Sequence, residues 1–204
     1  MARCTESLIK NTRSSAIEAI MKLFSWFKKN ESTKQKLEIS DDSGFIGLIN
    51  NDLYSGFVDE DWELEGILKR FTEQTNLGNC VIWSTGEPSF MNIHILDEPS
   101  QNEVFREVCS NIKVTNEKLW FVNYTDLTMV AQFESEKIPS NENSELEIPL
   151  ENGAYRVTIR QKFNPENYNW KSSPNPCFEI IFSQLTKMET NYFDDVIWWQ
   201  NDKR

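Results

Sequence analysis

The feature that most constrains this chain is a change of hydrophobic period near Gly78. Beyond it, apolar residues alternate with polar ones over short runs separated by turn residues, the spacing of strands with one face buried. The clearest run is Tyr155, Val157 and Ile159, interleaved with Arg156, Thr158 and Arg160, and Phe178, Ile180 and Phe182 repeat the pattern. Asn152-Gly153 is turn chemistry, so Glu145–Leu150 and Ala154–Phe163 read as the two arms of a hairpin. Further strands are expected at 80–83, across Phe90, Ile93 and Ile95, at Phe105–Val114, at Leu119–Tyr124 and at Asp126–Phe133. Gly86-Glu87-Pro88, Pro139–Ser144 and residues 164–176 read as turns or loops, and Phe193–Trp199 as a last strand or a packed tail. Strands recurring with short connections favour antiparallel pairing, because parallel neighbours need long crossovers. The expected class is mostly β (α+β): an antiparallel β-sandwich or barrel-like sheet with one or two N-terminal helices.

Ahead of Gly78 the pattern is different. Ile17, Ile20, Met21, Phe24 and Phe27 recur at helical spacing between Ser14 and Lys29, with Lys28-Lys29 suiting a helix C-terminus. Residues 1–36 are therefore set apart as a basic N-terminal segment, with residues 37–204 as a single acidic β-rich domain. The segment is expected to dock on that domain. Partial disorder ranks second, and contact of residues 16–29 with an anionic membrane third, since one short helix with a single Trp binds weakly. Met21 is an alternative start of translation. Within the domain, Gly44–Ile49 reads as a buried strand. A helix is expected from Asp59 or Asp61 to about Gln74, with Trp62, Ile67, Leu68 and Phe71 on its core side and its carboxylates in the first turn, where the helix dipole favours them.

Charge narrows the function classes. The formal net charge of −11 divides into about +5 on residues 1–36 and about −16 on the rest. Residues 37–68 hold nine acidic groups and no Lys or Arg. Such a body has no basic stripe with which to displace counterions from nucleic acid, whereas it attracts a basic protein and speeds the encounter. Solubility alone is the plain alternative use of the same charge. The chain has 13 Phe, 7 Trp and 5 Tyr, which supply a core despite a modest apolar share. Cys4, Cys80, Cys109 and Cys177 form no CxxC pair and are expected to be reduced and buried. There is no run of 18 apolar residues and no signal-peptide pattern, so the expected location is the cytoplasm.

Motifs for catalysis are missing: no G-x-S-x-G, P-loop or Rossmann glycine pattern occurs. His94 is the only histidine, and no His/Cys cluster has zinc-ligand spacing. It reads as a solvent-facing strand residue, with a Cys–His pair to Cys80 or Cys109 as the catalytic alternative. Asp41-Asp42 and Asp59-Glu60-Asp61 lack the spaced pattern of a calcium loop and read as solvated faces. No cofactor and no metal is expected. Trp170 lies in a polar loop, and Trp198-Trp199 puts two neighbours on opposite faces if extended. Tyr168, Trp170 and Trp199 therefore suggest a second class, a carbohydrate-binding β-sandwich, and an enzyme without a recognisable motif is a third.

The stretch from Glu145 to Ile159, ELEIPLENGAYRVTI, resembles small bacterial β-sandwich proteins of the competence nuclease inhibitor and immunity type. There a strand ending near Pro leads through a Gly-x-Tyr turn into the next strand. The likeness covers about fifteen of the 204 residues and includes no catalytic group. It implies a stoichiometric inhibitor that masks a basic toxin, such as a nuclease, in agreement with the acidic body. On this reading Asp59, Glu60, Asp61, Glu63 and Glu65 steer the encounter, and Trp62 and Trp170 anchor it.

Overall fold

The computed structural model describes residues 33–56, 63–87, 89–130, 132–133, 137–169, 171 and 174–199. The expectations for the helix over Ser14–Lys29 and its docking lie outside these. The alternating runs sort into two sheets. The first has five strands in the order β1 (Thr33–Asp41), β4 (Ser89–Leu96), β9 (Phe178–Leu185), β8 (Gly153–Gln161) and β5 (Arg106–Val114). The second has four, in the order β3 (Cys80–Ser84), β2 (Phe45–Ile49), β6 (Lys118–Asn123) and β7 (Glu147–Pro149). All pairings are antiparallel except β4 with β9. The sheets stay open and face each other, so the sandwich is the form adopted and the barrel is not.

Strand parity sets the layers. Leu37, Ile39, Met91, Ile93, Val157, Ile159, Phe178 and Ile180 point from the five-stranded sheet into a core shared with Ile46, Leu48, Val81, Trp83, Leu119 and Phe121 of the other. The alternate residues of the four-stranded sheet, Phe45, Ile49, Cys80, Ile82 and Val122, enter a second core with Ile67 and Phe71. Those two residues belong to α1 (Leu64–Asn76), whose buried positions Ile67, Phe71, Gln74 and Thr75 fall on one stripe at helical spacing. The result is three layers: five-stranded sheet, four-stranded sheet, helix. β2 and β3 are covered on both sides, which is why both are buried along their whole length. At Gly47 there is no room for a side chain beside β3: a Cβ there would lie 2.9 Å from both Ile82 Cγ1 and the Val81 carbonyl oxygen. Gly78, at φ +73°, follows the C-cap residue Leu77 and ends α1 in the backbone region that favours glycine.

Three expectations are corrected, and one left open between two forms is decided. Helix α1 begins at Leu64, later than Asp59 or Asp61, because its cap residue Glu63 is extended (φ −106°, ψ 153°). Glu145–Phe163 is not a hairpin: β7 pairs with Lys118–Trp120 in one sheet, and β8 pairs with β5 and β9 in the other. The turn at Glu151–Asn152 is therefore the crossing between sheets. Asp126–Val130 is a turn of π-helix, not a strand. The Asp126 N–H donates to Asn123 Oδ1 at 3.0 Å, and its buried carboxylate accepts from Ser140 N–H at 2.8 Å and Asn143 Nδ2 at 2.5 Å. The first bond closes a local turn, and the other two tie the segment to the loop over Ser140–Asn143. Phe193–Trp199 is the packed tail, joined to β3 by a bridge between Ile197 and Trp83. Trp199 packs 5.0 Å from Phe45 on the helix side, while Trp198 holds Arg106 over its ring at 4.4 Å.

Asp41 joins the sheets where β1 passes into β2. Its Oδ1 accepts from the N–H groups of Ser43, Gly44 and Phe45 at 3.2, 2.9 and 3.1 Å, and its Oδ2 accepts from Thr85 Oγ1 at 2.7 Å. Burial pushes the carboxyl up to about 6, against these hydrogen bonds, which favour the charge. A folded value above the unfolded one means that this group's stabilisation is complete below about pH 4 and is lost as pH rises through about 6, on the order of 3 kcal/mol in all. Asp41→Asn keeps the acceptor for the backbone N–H groups, and its amide can donate to Thr85, whose hydroxyl also lies 3.2 Å from the Glu87 carbonyl. The variant is expected to flatten stability between pH 4 and 6 and to be at least as stable as the parent at pH 7. Urea unfolding across that range checks it. Loss of stability that grows as pH rises above 6 would mean that the turn needs the charge, and an equal loss at every pH that it needs the carboxyl group itself.

Candidate partner-binding surface

The expected site residues are reached only in part. Asp59, Glu60, Asp61, Trp62 and Trp170 lie outside the described residues. Glu63 and Glu65 are exposed at the start of α1, with Leu64, 46% exposed, between them. The same face carries Lys69 and Glu73. Arg70, whose charge would otherwise offset the acids, is drawn to one side: its Nε donates to the Ser55 carbonyl and its Nη2 to Ser55 Oγ, both at 2.7 Å. The first turn thus presents two carboxylates around an apolar side chain.

The linear block 37–68 does not fold into one patch. Leu37 and Ile39 face the inter-sheet core, so Glu38 lies on the outer face of the five-stranded sheet, on the far side of the sandwich from α1. Asp41 is buried, and Asp52 accepts from Thr115 Oγ1 at 2.8 Å. Of the described part of the block, only Glu63 and Glu65 share a helix end.

The outer face of the five-stranded sheet holds a charged group that single strands do not reveal. His94, Glu179, Arg160 and Glu107 stand in register across β4, β9, β8 and β5. Arg160 donates from Nη1 to Glu179 at 2.5 Å and from Nε to Glu107 at 2.9 Å, and Lys162 Nζ donates to Glu179 at 3.0 Å. Ser100 Oγ completes the set, donating to Glu179 Oε1 at 2.5 Å. Burial acts to raise the Glu179 carboxyl, but the bonds from Ser100 and Lys162 and the charges of Lys162 and Arg160 outweigh it and hold the carboxyl below its ordinary range. A general acid needs the opposite shift. The group pins the segment after β4: Arg160 and Lys162 also donate to the carbonyls of Ser100 and Asn102 at 3.0 and 3.3 Å.

Other expected chemistry is dispersed. Cys80 points into the helix-side core, while Cys109, against the expected burial, is exposed on the edge strand β5; β8 and β9 separate it from the β4 strand of His94, so no Cys–His pair forms with either. Among the described residues no group of three His, Cys, Asp or Glu could hold a metal, and no helix is long and apolar enough to cross a membrane. The aromatic platform is also taken apart. Tyr168 stacks 4.7 Å from Phe163 and bonds Ser89 Oγ at 2.9 Å, while Trp199 packs on Phe45.

Two clefts escape sequence reasoning because each joins segments far apart in the chain. One, of about 620 Å³, opens at the end of the sandwich between β7 and the five-stranded sheet, with Ile95, Ile148, Leu150, Tyr155 and Phe182 in its lining. The other, of about 380 Å³, lies between β5, β8 and the tail, with Cys109, Asn111, Arg156, Asn191, Tyr192 and Phe193 in its lining.

No family model and no curated protein matches the sequence. The fold is similar to that of the solved structure "Crocagin biosynthetic gene J", with TM-score 0.48 and 10% identity over 73% of this chain and 95% of that one. It is also similar to ComJ, inhibitor of the DNA degrading activity of NucA, from Bacillus subtilis, with TM-score 0.40 and 13% identity over 76% of this chain and 96% of that one.

Proposed function

We propose that this chain is a protein-binding inhibitor: an immunity-type protein of the cytoplasm that neutralises a basic toxin, possibly a nuclease, by covering its active surface. ComJ is an inhibitor of a DNA-degrading activity, and the proposal gives this chain a role of the same kind. The observation that carries it is the charge of about −16 on residues 37–204, with exposed carboxylates flanking exposed Leu64 at the start of α1. A long-range acidic field raises the encounter rate with a cationic partner, and a desolvated apolar centre slows dissociation. Asp59, Glu60, Asp61 and Trp62 precede this turn in sequence and are assigned to the same surface.

A pull-down from the native source, washed at low and high salt, is expected to retain one basic partner in equimolar amount. With that partner, the double substitution Glu63→Lys and Glu65→Lys is expected to slow association by about tenfold or more at low salt and to flatten its salt dependence, with a smaller effect on dissociation. Unchanged association kinetics would remove the α1 face from the interface. Capture of no specific partner at low salt would refute the inhibitor reading.

A further inference from the structure

Among the described residues, three of the four edges of the two open sheets are closed. At the outer edge of β5 the Asn111 N–H donates to Asn191 Oδ1 at 2.8 Å and the Lys113 N–H to the Gly78 carbonyl at 2.9 Å. Beyond β3 the tail takes up the edge: Ile197 bridges to Trp83, and its carbonyl accepts from the Ser84 N–H at 2.9 Å. β7 has only three residues and ends in Pro149, which has no N–H to offer. The fourth edge is β1, nine residues long. Its free side can be read from the ladder. In an antiparallel pair, opposite residues turn their main-chain groups either toward each other or both away. Glu38 stands opposite Asn92, whose carbonyl accepts from the N–H of Cys177, just ahead of β9, at 2.8 Å. Asn92 thus looks away from β1, and Glu38 away from β4. Ser40 agrees, since its carbonyl accepts from Asn123 Nδ2 of β6 at 2.9 Å. By alternation Lys36, Glu38 and Ser40 direct their N–H groups outward, and among the described residues those groups meet no acceptor.

A row of unpaired main-chain groups is a template for another strand, and charged side chains, lysine above all, commonly guard it. Here the guard has a self-complementary form. Lys34 is engaged by Asp97 at 2.6 Å. Lys36 and Glu38 are both exposed, and neither takes part in an ion pair among the described residues. Leu37 between them faces the inter-sheet core, so the two opposite charges share the outer face. We propose that β1 pairs antiparallel with β1 of a second copy of this chain, on a two-fold axis at Leu37, so that Lys36 of each copy stands opposite Glu38 of the other. Both residues direct their main-chain groups to the edge, so each such pair exchanges both of its hydrogen bonds, and the five-stranded sheet continues into its copy. Residues paired in this way lie about 5.5 Å apart at Cα, where opposite charges attract and like charges repel. An axis at Lys36 or at Glu38 would set like charges against each other, so charge selects the register. A basic foreign strand would satisfy Glu38 but meet Lys36, and an acidic one the reverse; the chain's own β1 satisfies both. Leu37 and Ile39 keep their places in the core, so the pairing disturbs neither sandwich.

The test is sedimentation velocity of the full chain over the micromolar to submillimolar range. A reversible shift from monomer to dimer with concentration is expected. Lys36→Glu and Glu38→Lys are each expected to weaken it by about tenfold or more, since each sets like charges opposite one another in both pairs. Mixing the two variants should restore the dimer, because the new carboxylate of one copy meets the new ammonium of the other while the unaltered Glu38 meets the unaltered Lys36. The chain carrying both substitutions should dimerise like the parent, at the same net charge. Hydrogen exchange supplies a second readout: the amides of Lys36 and Glu38 should slow as concentration rises, while those of Leu37 and Ile39, which face β4, should not change. A monomer at every concentration, a dimer indifferent to these variants and to their mixture, or slow exchange at Lys36 and Glu38 in a monomer would overturn the inference and leave the inhibitor reading standing. Protection of these amides that appears only when a captured basic partner is added would give the edge to that partner and overturn the inference as well.

Discussion

Replacing Glu179 by glutamine is expected to cost about 3–5 kcal/mol of folding stability at pH 7, far more than the same change at any exposed acid of the chain. Glu179, Arg160 and Lys162 have side chains only 2%, 9% and 7% exposed. Taking such charges out of water is costly, and what offsets the cost is their mutual attraction together with the bonds that fill the remaining lone pairs. Glutamine keeps the shape and one acceptor, but it turns an amide N–H₂ toward a cation. Arg160 is then left with Glu107, which is about half exposed, and Lys162 loses the carboxylate it pairs with. Urea unfolding at constant slope measures the loss. The pH dependence carries the sign: because the folded carboxyl is held below its unfolded value, its stabilisation is present above about pH 4.5 and is lost as pH falls through the folded value. The gap between parent and variant should therefore close in acid. Replacing all three residues together by apolar ones of similar size should recover most of the loss, since it removes the stranded charges as well as the bond. The single variant should also free Ser100 and Asn102, whose carbonyls the two cations hold, and hydrogen exchange in the segment after β4 should rise.

This cluster also marks where sequence reading runs out. Arg160 and Glu179 each stand in a cleanly alternating strand at a position that alternation assigns to solvent, and both strands form where expected. What alternation does not tell is that Ser100 and its neighbours cover that part of the outer face. Burial of polar positions needs knowledge of what lies above the sheet, and that comes from the connection after β4. The parallel β4–β9 pair is hidden for a similar reason: its partners are separated by four other strands in the chain. β1 gives little signal because only Leu37 and Ile39 among its residues are strongly apolar. The two fully buried strands β2 and β3 are legible as compact apolar runs, since a strand covered on both faces has no polar side to show. The mistaken hairpin shows that turn chemistry at Asn152-Gly153 fixes a reversal of direction without fixing which strand is the partner. For the candidate surface, exposure of Glu63 and Glu65 follows from their place ahead of the helix stripe. The clefts do not, because Asn111 and Tyr192 meet only when the tail crosses the edge of β5.

Trp83→Ala is expected to destabilise the protein by about 3–5 kcal/mol, whereas Trp83→Phe should cost no more than about 1–2 kcal/mol. Trp83 is fully buried between the sheets, edge-on to Phe121 and Phe178 with ring centroids 5.6 and 5.9 Å away. Alanine removes both ring contacts and leaves a cavity walled by strands that cannot collapse, since β3 is held by β2 on one side and by the tail at Ile197 on the other. Phenylalanine keeps a ring in the same place. It also removes an N–H that has no hydrogen-bond partner among the described residues, and relief of that cost offsets part of the lost area. The effect should reach the proposed surface, because α1 rests on the opposite face of the same sheet through Cys80 and Ile82, the alternate residues of β3. The alanine variant is therefore expected to lose hydrogen-exchange protection in α1 as well as in β3, and with it the ordered presentation of Glu63 and Glu65. If phenylalanine proved as damaging as alanine, the indole N–H would have to be making a bond that holds the two sheets together. Equal and small losses would mean that the inter-sheet core can close over the space, and the rigid support for α1 would have to come from the helix-side core alone.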